Sequence, residues 1–290
     1  MATGTSKLVV AKLGWAITSL VNVSISNIIW RKGVRNLASF LDLLEQREIR
    51  GVELALSCLW DEPTEANKTE VKWLKNELTA RAIEPVSLHS LTFTRPDLEL
   101  FNSAKQRSEL RDYIVSYCDL ANKLGCKNIV FGSPKSRVTY GKSRDELNHI
   151  FLDFICDIDR AISDLNINIE PLSEQFCEYL NNFQDCVDLL DGQNFRNIFI
   201  QLDARTVIET NESLAGIFQN SEHIRHVHAS NPGLTVPGKP HSEIHTAIQH
   251  YLDHMKYEGY VTAEVNADNK LPDGQHLELV IDSMKGLYGG

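Results

Sequence analysis

Eight short apolar runs alternate with amphipathic helical stretches along this chain, and that alternation restricts the fold more than any other feature. The runs are residues 8–17, GVELAL (51–56), PVSLH (85–89), NIVF (128–131), INIE (167–170), FIQLD (199–203), IRHVH (224–228) and GYVTAE, which ends at Glu264. Helical spacing of apolar residues recurs between or after them over 36–47, 69–81, 104–124, 144–165, 183–190, 213–219, 243–258 and 276–287. In the first of these, Leu37, Phe40, Leu41 and Leu44 share one face. Gly125 stands where the 104–124 helix needs a left-handed cap. Strands separated by helices pair in parallel, because each return to the same end of a sheet needs a crossover. The rival is an open doubly wound sheet, whose usual G-x-G-x-x-G after the first strand is absent. A length of 290 residues fits one barrel domain. The expectation is an α/β protein: a single (β/α)8 TIM barrel over residues 1–290, with 1–6 a disordered tail and 18–33 a long loop.

Four of the runs end in a metal-type ligand: Glu170, Asp203, His228 and Glu264. Side chains at the C-terminal ends of parallel strands converge on one mouth, where barrels of this kind build their sites. In IRHVH, His226 and His228 lie on the same side because side chains alternate along a strand. Either imidazole could be the ligand; His228 is preferred because it lies nearer the mouth. Three carboxylates and one imidazole make a hard, oxygen-rich set. Mn²⁺ is the first candidate for one divalent metal ion, and Mg²⁺, Co²⁺ or Zn²⁺ would also suit it.

Composition narrows the partners. The net charge of −10 argues against a nucleic-acid backbone, which calls for clustered Lys and Arg. No stretch approaches the about 20 uninterrupted apolar residues of a membrane span. Lys12 interrupts the first apolar run and no cleavage pattern follows it, so a signal peptide is not expected. The six cysteines form no C-x-x-C pair, which suits a reducing, cytoplasmic compartment without disulfides. Self-association into a homo-oligomer is neither required nor opposed by the sequence.

The motifs around those ligands resemble the xylose isomerase-like barrel superfamily, the sugar phosphate isomerases/epimerases. IEPLSEQFCEYLNN (169–182) is similar to its fifth-strand motif, IQLDART (200–206) to its sixth-strand Asp motif, and HVHASNPGLTVPG (226–238) to its seventh-strand loop. GYVTAE resembles its eighth strand, and GSPKSR (132–137) the fourth-strand loop of a less characterised branch. The resemblance implies a metal held by Glu170, Asp203, His228 and Glu264, and a sugar-like substrate presenting two vicinal oxygens to it. Three positions depart from the ketose 3-epimerases. Thr206 stands where they carry a second His, Leu234 lies near the place of an Arg, and Phe176 replaces a Glu.

The activity implied is a metal-dependent sugar or sugar-phosphate isomerase or epimerase. It would work by α-proton abstraction through an enediolate, with Glu170 and Glu264 as the catalytic pair. A dehydratase or lyase of inosose type uses the same chemistry, and a catalytically altered sugar-binding barrel is the non-enzymatic alternative. Apurinic endonucleases of the superfamily need more ligands and a basic face. The expected partner is a small carbohydrate or sugar phosphate, contacted by His89, Lys135, Arg137, Arg205 and Lys239. Glu53, inside the second strand, reads at least as readily as a buried hydrogen-bonded group. His245 reads as a packing residue of the helix after the seventh strand.

Overall fold

The structure is a computed structural model that describes residues 21–30, 34–268 and 270–289. Its strands are β1 (Asn22–Ser26), β2 (Gly51–Leu54), β3 (Glu84–Leu88), β4 (Asn128–Phe131), β5 (Asn166–Ile169), β6 (Ile198–Asp203), β7 (Ile224–Ala229) and β8 (Tyr260–Ala263). They form a closed barrel in sequence order, every pair parallel, with Asn22 opposite Tyr260 where β1 meets β8. Helices α1 (Val34–Gln46), α2 (Lys68–Ala80), α3 (Ala104–Leu124), α4 (Arg144–Ala161) and α5 (Phe183–Leu190) follow the first five strands in turn. Helices α6 (Ala204–Thr210) and α7 (Leu214–Gln219) both follow β6, and α8 (Ser242–His254) and α9 (Asp273–Leu287) follow β7 and β8.

The local chemistry explains most of these boundaries. Asn67 and Glu70 form a reciprocal capping box at the start of α2, and Ser103, Ser143 and Asn182 cap α3, α4 and α5. Gly125 closes α3 at φ 95°, in the left-handed region where a side chain would be strained. Helix α4 ends at Ala161 rather than at 165, and α8 at His254 rather than 258. In each case a left-handed residue, Asp164 or Lys256, turns the chain toward the next strand. Helix α9 starts three residues earlier than its apolar spacing suggests, at Asp273.

The first strand corrects the sequence reading. The run at 8–17 and the tail at 1–6 lie outside the described residues, whereas β1 falls inside the stretch expected to be a loop. The reason is the barrel's interior. Ser24, Ser26, Glu53, Ser87, Asn168, Gln201, His226, His228 and Thr262 are all inaccessible to solvent and occupy alternate positions on their strands. The residues between them, such as Ile25, Val52, Ile129, Leu202 and Val261, belong to the apolar core. Inward serines are stable because they find partners inside: Ser24 Oγ lies 2.5 Å from Thr262 Oγ1, and Ser26 Oγ 2.7 Å from His89 Nε2. Among the described residues no helix is long and apolar enough to cross a membrane. All six cysteines are free thiols.

Candidate active site

Backbone pairing continues one residue beyond β5 and β8 and fixes two glutamates at the mouth. The Glu170 amide donates to the Phe131 carbonyl at 3.2 Å, and the Glu264 amide to the Ala229 carbonyl at 3.3 Å. Asp203 is the last residue of β6, and His228 lies one residue before the end of β7. Gly132 makes room for the Glu170 side chain, since a Cβ there would lie 1.9 Å from Glu170 Oε2. Arg137 is fully buried and donates from Nη2 to the Glu170 carbonyl at 3.0 Å. It therefore anchors the end of β5 and is not a cation of the mouth.

Three of the four expected ligands come together. Glu170, His228 and Glu264 each offer a donor atom within 4.8 Å of the others. Glu264 Oε2 faces His228 Nδ1 at 3.3 Å, and its Oε1 lies 3.4 Å from His89 Nδ1. A second group, one layer deeper, joins Glu53, His226 and His228. There Glu53 Oε2 accepts from Ser87 Oγ at 2.5 Å and lies 2.7 Å from His226 Nε2, while Oε1 is 2.9 Å from His228 Nε2. The imidazole of His228 thus bridges the two layers, and His226 belongs to the deeper one. Neither Ser26, Ser87 nor Gly132 carried any local sequence signal, because each matters only through a partner far along the chain.

The same burial drives these acids in opposite directions. Burial pushes Glu170 up, and the neighbouring Glu264 charge adds to it, so its pKa rises to about 7. Burial would also raise Glu53, but His228 and His89 beside it, with hydrogen bonds from His226 and His228, hold it well below the ordinary range. Glu264 is likewise depressed, His228 and His89 outweighing burial. Burial works against charging the imidazoles; Glu53 and Glu264 nevertheless hold His228 well above its usual value and His89 above it, while His226 stays below.

Asp203 stands apart from the three-group cluster. Its Oδ1 accepts from the Arg205 amide at 2.9 Å, and its Oδ2 accepts from Arg205 Nη2 at 3.0 Å. Thr206 Oγ1 lies 3.2 Å from the same Oδ2. Arg205 Nη2 also reaches Glu170 Oε1 at 3.3 Å, so the guanidinium sits between two of the expected ligands. The donor set nevertheless fits a divalent cation. Glu264 Oε2 and His228 Nδ1 are buried, face one another and lack a formed hydrogen bond, and the chemistry is carboxylate plus imidazole.

A cavity of about 320 Å³ opens above this cluster. Glu170, Glu264, His89, Arg205 and Lys135 line it, so three of the five expected substrate contacts reach it. Arg137 does not, and Lys239 is an exposed residue of the seventh loop outside the lining. Phe176 lies at the mouth, 44% exposed, with Arg205 Cζ 5.1 Å from its ring centroid. The seventh loop is tied down from beneath. Asn231 Nδ2 donates to the Val236 carbonyl at 2.8 Å, and Asn231 Oδ1 meets His245 Nε2 at 3.0 Å.

A family model described as a xylose isomerase-like TIM barrel matches residues 41–287. Among curated proteins, none matches the chain. A solved D-psicose 3-epimerase, determined with D-fructose, shares 16% identity, covers 93% of this chain and 100% of its own, and superposes with a TM-score of 0.74. The 3-keto-D-glucoside 4-epimerase from E. coli gives 14%, 92%, 98% and 0.74 in the same order. An L-ribulose 3-epimerase gives 13%, 93%, 95% and 0.72. At such identities the likeness is one of fold.

Proposed function

The chain belongs to the xylose isomerase-like TIM barrel family, and from that premise we propose that it is a divalent-metal-dependent isomerase or epimerase of a small sugar or sugar phosphate. The observation that carries this reading is the opposed pair Glu170 and Glu264: two carboxylates from different strand ends, facing one cavity and meeting around His228. The names of the similar structures agree with it. Psicose and ribulose are 2-ketoses, so inversion at C3, like inversion at C4 of a 3-keto sugar, occurs beside a carbonyl.

In this reading Glu170, His228 and Glu264 hold the cation, joined by Asp203, with Mn²⁺ the first choice. When bound, the cation polarises the substrate carbonyl and stabilises negative charge beside it. One carboxylate removes the α-proton from one face of the substrate carbon, and the other returns a proton to the opposite face. Their different environments suit them to unlike protonation states, the usual sign of an acid and base working together. His89 holds its imidazole between Ser26 and Glu264, ready to contact a substrate hydroxyl. Lys135 and Arg205 supply positive charge at the cavity for a phosphate or carboxylate. The cavity suits a monosaccharide.

The test is solvent exchange. Mn²⁺-loaded protein in D₂O, incubated with 2-ketoses, 3-keto sugars and their phosphates, should wash deuterium into the α-position of at least one, followed by proton NMR. Exchange accompanied by loss of water would move the assignment to a dehydratase. Silence across the whole panel with metal bound would leave a sugar-binding barrel.

A further inference from the structure

We propose that Arg205 is a built-in counter-cation that competes with the divalent metal for Glu170 and Asp203. The inference rests on the metal reading above and concerns one residue of this chain. Arg205 is the second residue of α6, and its guanidinium folds back over the helix start. Nη2 contacts Asp203 Oδ2 at 3.0 Å and Glu170 Oε1 at 3.3 Å. The backbone amide of the same residue occupies Asp203 Oδ1 at 2.9 Å. One residue thus engages both oxygens of one expected ligand and one oxygen of another, and Asp203 is left out of the group formed by Glu170, His228 and Glu264.

The electrostatics make this a contest. Three buried acids at one mouth need a countercharge, and a guanidinium and a divalent ion both supply it. A guanidinium does not discharge itself by losing its proton. A cation held by Glu170 and Asp203 would draw on the same oxygens that Nη2 contacts, in surroundings with little water to screen the repulsion. Arg205 therefore either moves when metal enters or weakens the metal where it sits. It has somewhere to go: it lines the cavity, and the Phe176 ring beside it is partly open to solvent.

The experiment titrates Mn²⁺ into metal-free wild-type protein and into Arg205→Met, by calorimetry and by the EPR signal of free Mn²⁺. Arg205→Met should bind Mn²⁺ about tenfold or more tightly, and Mn²⁺ should raise its Tm by more than it raises the wild type's. Equal or weaker binding by the variant would overturn the inference while leaving the metal site standing. Failure of both proteins to bind Mn²⁺ would overturn the metal reading and the inference with it. If circular dichroism shows that Arg205→Met does not fold, Arg205→Gln takes its place. It removes the charge but keeps an amide that can donate to Asp203, and should bind Mn²⁺ more tightly than wild type; affinity no better than wild type would again overturn the inference.

Discussion

Three buried glutamates surround His228, and the protein treats two of them, Glu53 and Glu170, oppositely. Glu53, in the interior layer, is surrounded by Ser87, His226 and His228 and sits well below the usual carboxylate range. Glu170, at the mouth, has one side-chain donor among the described residues, the distant end of Arg205, and sits near neutrality. Burial alone does not decide what a buried acid does; the charges beside it, and then its donors, do. Glu53 finds its partners within the fold. Glu170 is held short of partners, in an opening where a ligand can supply them.

The largest effect should fall on the mouth. Glu264→Gln or Glu170→Gln should slow α-proton exchange by about 10²- to 10⁴-fold, the usual yield of a positioned general acid or base. Stability should separate the pair from Glu53. Because the folded pKa of Glu170 lies above its unfolded value, folding favours its protonated form, and the associated stability is lost as pH rises through about 7. Metal-free Glu170→Gln should therefore be no less stable than wild type at pH 8 in a urea melt. Glu53→Gln removes one partner of a buried charged cluster and should cost about 3–5 kcal/mol in the same melt. Equal stability of the two variants would erase the distinction between the two glutamates.

The outward faces of this fold were legible in the sequence because they obey a simple rule. Val, Ile and Leu alternate outward against apolar helix stripes, so seven strands and the main helices could be located from apolar runs. The inward faces break the rule. NVSIS carries two serines whose value depends on Thr262 and His89, more than 60 residues away in sequence in the nearer case. No local pattern announces such partners, and β1 looked like a loop. The mouth was legible for the same reason that it is reactive: carboxylates at strand ends with no apolar excuse stand out. What could not be read was which cation meets them. Arg205 stood out as a charge following a strand end, and only the backbone turn into α6 aims it at Asp203 and Glu170.

A subtler variant sharpens the comparison without touching a polar atom. Gly132→Ala adds a methyl group where the Glu170 carboxylate now lies. The far end of that side chain can yield, so the fold should survive with a change within about 1 kcal/mol. The carboxylate will not keep its position, and misplacement of a catalytic group by about an ångström costs on the order of 10²-fold. A Gly132→Ala protein with full exchange activity would show that Glu170 does not need its present place.

The smallest effect tests the same rule at a buried group with no acid beside it. His245 lies under the seventh loop between the Tyr288 hydroxyl, 2.7 Å from Nδ1, and Asn231 Oδ1. Burial lowers its pKa to about 4, with nearby His241 adding to the shift. His228 and His89, buried as deeply but beside glutamates, move the other way. A histidine depressed by folding lets the unfolded chain bind the proton first. Its contribution is complete above about pH 6.5 and is lost as pH falls toward 4. By pH 5 the loss from this residue should be about 2 kcal/mol. Urea melts of wild type and His245→Gln at pH 7.5 and pH 5 measure it: wild type should lose about that much more than the variant between the two. Parallel losses would mean that folding does not disfavour the charged imidazole, and that two neutral acceptors, the Tyr288 hydroxyl oxygen and Asn231 Oδ1, can hold a buried cation here.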